Sequence, residues 1–260
     1  MKVIGWLLLG GLCVIVLYIG LLVVSALLVD DKKEYDRNSR YYRWLLNSST
    51  AIGMWLLRVR IHVSGLEKIP QDTRFLLVGN HRSNFDPLVT WLVFRKYDVA
   101  YVSKEANFHI PVFGRLIRKC AFMAIDRENA RNAMKTIRHA ADLIRRDEVS
   151  IGIYPEGTRS KDCVLLPFHN GVFKIAQKAD VPIVVAAIRG TQNIHKQYIR
   201  KVTDVYVDII DCIPAEAVHV NTHVIGERVY TDLGRFLASH PEAGGAAGHS
   251  DRDNEQHVYA

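Results

Sequence analysis

The hydrophobic pattern begins with an uncharged run from Val3 to Val29. A helix needs about 20 apolar residues to cross a bilayer, and this run exceeds that length. A cleavable signal peptide has an apolar core of only about 7 to 15 residues, so we favour a membrane anchor helix over residues 1–30. Lysines and arginines are more numerous after the run than before it, which by the positive-inside bias predicts that the remaining chain lies on the cytoplasmic face.

The next segment, residues 31–58, has apolar and aromatic residues at near-helical spacing, including Trp44 and Trp55. Tryptophan favours the headgroup region and arginine can meet lipid phosphates, so an amphipathic interfacial helix is one interpretation. An ordinary helix packed on the folded domain fits the same spacing equally well. The pattern therefore predicts a helix and leaves the environment of its outer face open.

Beyond residue 58, short β-rich runs alternate with helical stretches. The clearest helix carries Met134, Ile137 and Ala141 at intervals of three or four residues. This alternation predicts an α/β domain over residues 59–238, with a largely parallel sheet flanked by helices. From residue 239 small and polar residues predominate, which predicts a disordered tail over residues 239–260. The predicted strands are residues 59–63, 75–78, 99–102, 121–125, 149–154, 183–188 and 205–210, and the predicted helices are residues 87–94, 128–146, 172–179 and 224–237.

Composition narrows the classes of partner and of structural cross-link. Hydrophobic residues make up 49% of the 260 residues, and the formal net charge is +7. Positive charge favours an anionic partner, which could be nucleic acid, a membrane surface or a phosphorylated substrate. The four cysteines lie far apart with no Cys-x-x-Cys pair, so we expect neither a disulfide framework nor a zinc site.

The polar turn between the strand at 75–78 and the helix at 87–94 carries the candidate catalytic pair, His81 and Asp86. The carboxylate can fold back onto one imidazole nitrogen and leave the other nitrogen free as a general base. Taken alone, the histidine is also explained as a hydrogen-bonded structural residue, and Asp86 before Pro87 as a helix cap. A dinuclear metallophosphatase site is disfavoured because the chain has no Asp-x-His and no Gly-Asp pair.

The chain offers His81 no recognisable nucleophile of its own. A Gly-x-Ser-x-Gly sequence, which marks the nucleophilic serine of many hydrolases, does not occur. The proton that His81 removes as a base would therefore belong to a substrate hydroxyl.

A second candidate, the sequence Tyr-Pro-Glu-Gly-Thr-Arg-Ser at residues 154–160, follows an apolar strand. Ligands bind at strand ends in α/β folds. Gly157 lets backbone N–H groups approach an oxyanion, Thr158 adds a hydroxyl donor, and Arg159 can hold a phosphate bidentately. Arg127 follows another predicted strand and can share the phosphate charge. A surface turn with a structural arginine is the alternative for residues 154–160.

In order and spacing, these motifs resemble the glycerolipid acyltransferase family, whose bacterial membrane-bound members are 1-acyl-sn-glycerol-3-phosphate acyltransferases. In that family a His-x4-Asp motif precedes a block ending in Arg, a Glu-Gly-Thr-Arg-Ser block and a Val-Pro-Ile strand, and residues 75–190 contain them all. Residues 168–174 also look like the family's segment between the last two blocks. Val185-Ala186 stands where the family commonly has a second proline, a departure that bears on acceptor or acyl-chain preference.

The resemblance implies a glycerol-3-phosphate acyltransferase-like fold with His81 as general base and Asp86 as its orienting partner. It also implies that Glu156 supports its own loop or the acceptor. The residues expected around the acceptor phosphate are Arg127, Glu156, Gly157, Thr158 and Arg159.

The reaction that the resemblance implies moves a fatty acyl group from a thioester, acyl-CoA or acyl carrier protein, to the free hydroxyl of lysophosphatidic acid. The product is phosphatidic acid, the expected partners include membrane lipids, and we expect no metal and no other cofactor. Another lysophospholipid or an amine-bearing lipid is an alternative acceptor, and a non-catalytic lipid-binding protein of the same fold is an alternative class. We expect no nucleic-acid partner, because the chain lacks a basic-aromatic motif and carries an apolar anchor.

Overall fold

The structure, a computed structural model, describes residues 2–241 and 256–257, over which it contains eight α-helices and eight strands. The helices are α1 (Lys2–Leu27), α2 (Arg40–Leu56), α3 (Asp86–Val93), α4 (Phe113–Arg118), α5 (Ala130–Arg145), α6 (Lys174–Ala179), α7 (Ile194–Gln197) and α8 (Thr222–Ser239). The strands are β1 (Val59–Ser64), β2 (Leu76–Gly79), β3 (Val99–Lys104), β4 (Met123–Ile125), β5 (Ser150–Ile153), β6 (Ile183–Arg189), β7 (Thr203–Ile213) and β8 (Gln256–His257).

All eight strands belong to one sheet, in the order β4-β3-β5-β2-β6-β7-β1-β8. Strands β4, β3, β5, β2 and β6 pair in parallel, as do β7 and β1, whereas β6 with β7 and β1 with β8 are antiparallel. The predicted largely parallel sheet flanked by helices is confirmed. Every predicted strand is present, with ends shifted by at most three residues. Strand β7 is longer than predicted because it pairs with two neighbours, β6 and β1.

Side chains that alternate along each strand supply two apolar layers, one on each face of the sheet. In β2, Leu76 and Val78 pack in the layer covered by α5, α6 and α8. The neighbouring Phe75 and Leu77 pack in the layer covered by α2, α3, α4 and α7. Because both faces are covered, the central strands are apolar throughout, which is why they were recognisable as short continuous runs.

The four predicted helices are present, and α5 begins two residues later than predicted. Asn129 sets that start, because its side-chain oxygen accepts the backbone N–H groups of Arg131 and Asn132. The short helices α4 and α7 lie outside the predicted helices, since six and four residues are too few to show an apolar period.

Helix α1 is long and apolar enough to cross a membrane by length and composition. Its last turn is fixed to α2, since the Ser25 and Tyr41 hydroxyls lie 2.6 Å apart. On α2, Leu46 and Met54 are buried in the core, whereas Trp44 and Trp55 are 53% and 75% exposed. The inner face of α2 is thus packed on the domain, and its outer face carries the aromatic residues of the interfacial interpretation.

The predicted disordered tail, residues 239–260, lies outside the described residues except for 239–241 and 256–257. Ser239 is the last residue of α8, and residues 256–257 form strand β8 beside β1.

Candidate active site

His81 lies just after β2, in the turn that leads into α3. Its Nδ1 is 2.8 Å from Asp86 Oδ2, and its ring stacks on Tyr154 with the centroids 4.4 Å apart. The His81 side chain is 16% exposed and the Asp86 side chain 0%. The carboxylate therefore accepts the Nδ1 proton, and Nε2 keeps the lone pair that a general base needs.

The carboxylate of Asp86 accepts hydrogen bonds from three groups besides the imidazole of His81. Oδ2 also accepts the backbone N–H groups of Arg82 at 2.6 Å and Ser83 at 2.7 Å, and Oδ1 accepts the hydroxyl of Thr191. Asp86 is the first residue of α3, but its partners lie before the helix or in the turn after β6 rather than in the first turn of α3. The alternative that its side chain caps α3 is therefore wrong, because its oxygens serve the turn and His81.

Glu156 fixes the backbone of the same turn. Its Oε1 accepts the backbone N–H of His81 at 2.6 Å, and its Oε2 accepts that of Leu166 at 3.0 Å. The residue is 3% exposed, and burial raises the pKa of its carboxyl group. Of the two roles expected for Glu156, support of the loop agrees with these contacts, since both oxygens bind backbone.

The loop after β5 holds His81 on its other side as well, because the backbone N–H of Ser160 donates to the His81 carbonyl at 2.9 Å. The turn in this loop requires glycine at position 157, where φ is +66° and a Cβ would lie 2.8 Å from the His169 ring. A residue with a side chain would be strained there and would also push His169 away.

The predicted site residues meet at a cleft of about 1200 Å³. His81 and Gly157 line it, together with the exposed side chains of Arg127, Thr158 and Arg159. Asp86 and Glu156 lie behind this surface and support His81. The rest of the lining is largely apolar and comes mainly from α2, α3, α4, α5 and the segment before β4, with Leu46, Met54, Trp91, Phe113, Ile117, Phe122 and Met134 among its members.

Several side chains of the site were missed by the sequence reading. Lys104 ends β3 and adds a cation to the cleft lining, beside Ser103. Ligands bind at strand ends in α/β folds, so the position of Lys104 just beyond the end of a predicted strand is the signal that points to it. The contact of Thr191 with Asp86 has no local signal, because the two residues are 105 positions apart.

A buried hydroxyl network lies beneath His81. The Thr90 hydroxyl is 3.0 Å from the Tyr154 hydroxyl, receives the Tyr101 hydroxyl at 2.7 Å, and donates to the Asp86 carbonyl at 2.8 Å. Burial raises the pKa of both tyrosines above the ordinary value. Both phenols therefore stay neutral near pH 7, and the network holds the Tyr154 ring flat against the imidazole.

Comparison with known proteins agrees with this geometry. The sequence model of the family described as Acyltransferase matches residues 60–189, which is half of the chain. The chain belongs to the acyltransferase family. The family resemblance predicted from the motifs is confirmed, and the matched range contains His81, Asp86 and residues 154–160.

This acyltransferase is similar to proteins named 1-acyl-sn-glycerol-3-phosphate acyltransferase. It is 36% identical to that of Haemophilus influenzae over 130 residues, covering 48% of this chain and 54% of the relative. It is 37% identical to that of Cocos nucifera over 139 residues, covering 53% of this chain and 44% of the relative. The matched region thus spans about half the length of these relatives.

The acyltransferase also shares its fold with a solved structure. The crystal structure of the 1-acyl-sn-glycerophosphate acyltransferase PlsC from Thermotoga maritima superposes with a TM-score of 0.64 at 23% identity, covering 86% of this chain and 88% of that chain. The predicted acyltransferase-like fold is confirmed.

Proposed function

We propose that this acyltransferase moves a fatty acyl group from an acyl thioester to the free hydroxyl of lysophosphatidic acid, giving phosphatidic acid. The observation that carries the proposal is the His81–Asp86 pair, 2.8 Å apart, beside a cleft with apolar walls and exposed arginines. The printed names of the relatives support the choice of acceptor.

In the proposed reaction, the acceptor hydroxyl gives its proton to His81 Nε2 while its oxygen attacks the thioester carbonyl carbon. The new C–O bond forms, the C–S bond breaks, and the leaving thiolate recovers the proton from the imidazolium. Asp86 stabilises the imidazolium through Nδ1 and keeps the ring in place. His81 is the only base in this cycle, and it is neutral again once the thiolate has taken the proton. The proposed chemistry therefore includes no metal and no other cofactor.

The cleft lining suggests how the substrates are held. Arg159 and Arg127 supply guanidinium groups for the acceptor phosphate, with the Thr158 hydroxyl and the Gly157 backbone beside them. Lys104 adds a further cation to the same lining. The apolar walls formed by α2, α3 and α4 take the acyl chain, whose burial favours binding by about 0.8 kcal/mol per methylene.

The proposal includes a membrane location with the catalytic domain on the cytoplasmic face. Helix α1 meets the requirements of a membrane span, and the substrate itself is a membrane lipid. Acyl-CoA and acyl carrier protein both present a thioester to such a domain, and either is compatible with the chemistry at His81.

The test is a thiol-release assay of the full chain in membranes with His81→Ala. General-base catalysis is worth about 10²- to 10⁴-fold, so the variant should lose activity by that factor while staying in the membrane. His219→Ala is the matched control, because His219 is exposed and pairs with Asp180. Near-normal turnover by His81→Ala would overturn the mechanism. If the wild type and both variants release no thiol, the protein is a non-catalytic lipid binder.

The same assay, run with a panel of acceptors, identifies the lysolipid. Lysophosphatidic acid should be acylated faster than monoacylglycerol, which lacks the phosphate, and faster than lysophospholipids with larger or amine-bearing headgroups. Preference for one of those acceptors would contradict the proposed substrate while leaving the chemistry intact. Acyl-CoA and acyl carrier protein are supplied in parallel to show which thioester is used.

A further inference from the structure

Thr191, in the turn that follows β6, contacts the carboxylate of Asp86, which lies beyond the end of the neighbouring strand β2. Its hydroxyl donates to Asp86 Oδ1, and both residues are 0% exposed. The residue lies two positions beyond the range matched by the family model, and it does not line the cleft. Its contact with the site is therefore made through Asp86 and not through a substrate.

The backbone around Thr191 is built for this contact. Gly190, which precedes it, has a φ of +87°, and a Cβ there would collide with the carbonyl oxygen of Asp204. Only glycine fits this turn without strain. The turn directs the next residue back over the end of β6, toward the start of α3.

Asn80 fixes the distance between the turn that carries His81 and the turn that carries Thr191. Its Nδ2 donates to the Ile188 carbonyl at 2.9 Å, and its Oδ1 accepts the Ile188 backbone N–H at 2.7 Å. These two bonds continue the pairing of β2 with β6 beyond Gly79. Asp86 and Thr191 are thus tied to strands whose ends cannot slide apart.

We propose that Thr191 is a positioning residue for acyl transfer, which holds the Asp86 carboxylate in the plane that receives the Nδ1 proton of His81. The inference rests on the proposed function of His81 as the base. Rotation of a carboxylate about its Cβ–Cγ bond is only weakly restricted by its covalent structure. Hydrogen bonds must therefore set the plane, and the Thr191 hydroxyl sets it from Oδ1 while the backbone N–H groups act on Oδ2.

Loss of this hydroxyl would leave Oδ1 facing a buried side chain that offers no donor. The carboxylate would turn, its bond to Nδ1 would weaken, and the imidazole would no longer be held as the Nδ1–H tautomer. A proton on Nε2 removes the lone pair that accepts the substrate proton. The expected defect is in the chemical step rather than in substrate binding.

The experiment compares Thr191→Val, which keeps the shape and removes the hydroxyl, with Thr191→Ser, which keeps the hydroxyl. A hydrogen bond to a charged group is worth about 1.5–3 kcal/mol, so kcat of Thr191→Val should fall about 10- to 100-fold, with KM for both substrates within about twofold. Thr191→Ser should keep kcat within about threefold. Nitrogen-15 NMR of His81 should show the Nδ1–H tautomer in wild type and Thr191→Ser, and a mixture in Thr191→Val.

The outcomes separate this inference from the proposed function. Wild-type kcat and an unchanged tautomer in Thr191→Val would overturn the inference, as would a Thr191→Ser variant as impaired as Thr191→Val. If the wild type transfers no acyl group, the proposed function fails, and the NMR comparison still tests the positioning role. Should Thr191→Val not fold, judged by its thermal unfolding in detergent, Thr191→Ser and Thr191→Ala provide a second pair that differs only in the hydroxyl.

Discussion

Two buried carboxylates, Asp86 and Glu156, hold His81 from different sides. Asp86 Oδ2 lies 2.8 Å from the imidazole Nδ1, whereas Glu156 Oε1 lies 2.6 Å from the backbone nitrogen of His81. Burial raises the pKa of Glu156, and its backbone hydrogen bonds offset only part of that increase. An ionised Glu156 therefore positions the turn at a cost in the stability of the folded protein.

Glu156→Gln should change how stability depends on pH. Because the pKa of Glu156 is raised in the folded state, the folded protein keeps the proton in a pH window where the unfolded chain has lost it. Stability then falls as pH rises through that window. Glutamine does not titrate, so the wild type should lose free energy of unfolding relative to the variant as pH rises above the ordinary pKa of a glutamate, about 4.3.

Glutamine also presents one NH₂ group to the two backbone donors, so it leaves one of them unsatisfied at a cost of about 1–3 kcal/mol. This offset is the same at every pH, whereas the titration changes the difference between the two proteins. Denaturant unfolding in mild detergent at a series of pH values measures both. Parallel stability curves for wild type and variant would contradict the assignment of the titration to Glu156.

At the residue scale, the sequence predicted His81, its partner Asp86 and the supporting Glu156, and it missed Thr191 and the contact of Tyr154 with His81. His81, Asp86 and Arg159 lie in short polar segments after apolar strands, so local pattern was sufficient to select them. Thr191 was missed because its partner is far away in the chain. Tyr154 belongs to the motif at residues 154–160, but the sequence assigns it no role. Its stacking on His81 depends on which strands are neighbours.

At the element scale, the site is assembled by strand order. Strands β3, β5, β2 and β6 are neighbours and run parallel, so their carboxyl ends meet at one edge of the sheet. Lys104 ends β3, and residues 154–160, His81 and Thr191 follow β5, β2 and β6. Hydrophobic runs predicted strands β1 to β7, but pairing is decided by packing across the whole domain. The sequence therefore predicted the components of the site without their arrangement.

Helix α2 forms part of the cleft wall as well as part of the core. Gly53 on this helix lines the cleft, and a Cβ at that position would meet nothing within 4 Å. Substitution there adds side-chain volume without an initial clash. The acyl-chain space proposed for the cleft can thus be altered from an element that carries none of the predicted site residues.

Gly53→Leu should shift the donor preference toward shorter acyl chains. If the new side chain displaces about two methylenes at about 0.8 kcal/mol each, kcat/KM for a hexadecanoyl thioester should fall about tenfold, and that for a dodecanoyl thioester should not change. Gly10→Leu is the matched control, since its Cβ also meets nothing within 4 Å but Gly10 does not line the cleft. An equal loss of kcat/KM with both thioesters would show that this wall does not determine the acyl-chain preference.

At the scale of the whole molecule, the apolar helix and the catalytic domain are joined by specific contacts. The Tyr18 and Ser48 hydroxyls lie 2.7 Å apart, and Arg115 donates to the Ala26 carbonyl at 3.3 Å. The exposed Trp44 and Trp55 lie on α2, the same helix as Ser48. The cleft, which α2 lines, is consequently held at a fixed place relative to α1, which suits the proposed access to a lipid acceptor.

The proposed orientation can be tested on the full chain in membrane vesicles. Basic residues stand at positions 32, 33, 37, 40 and 43, just after α1, so we expect the domain to face the cytoplasm. Lys178 is exposed on α6, and Lys178→Cys in a chain whose native cysteines are replaced by alanine provides a single reporter. A membrane-impermeant maleimide should label this cysteine in inside-out vesicles and, in right-side-out vesicles, only after detergent is added. Labelling of intact right-side-out vesicles would place the cleft on the opposite face and would separate the enzyme from cytoplasmic thioesters, which the proposed reaction requires.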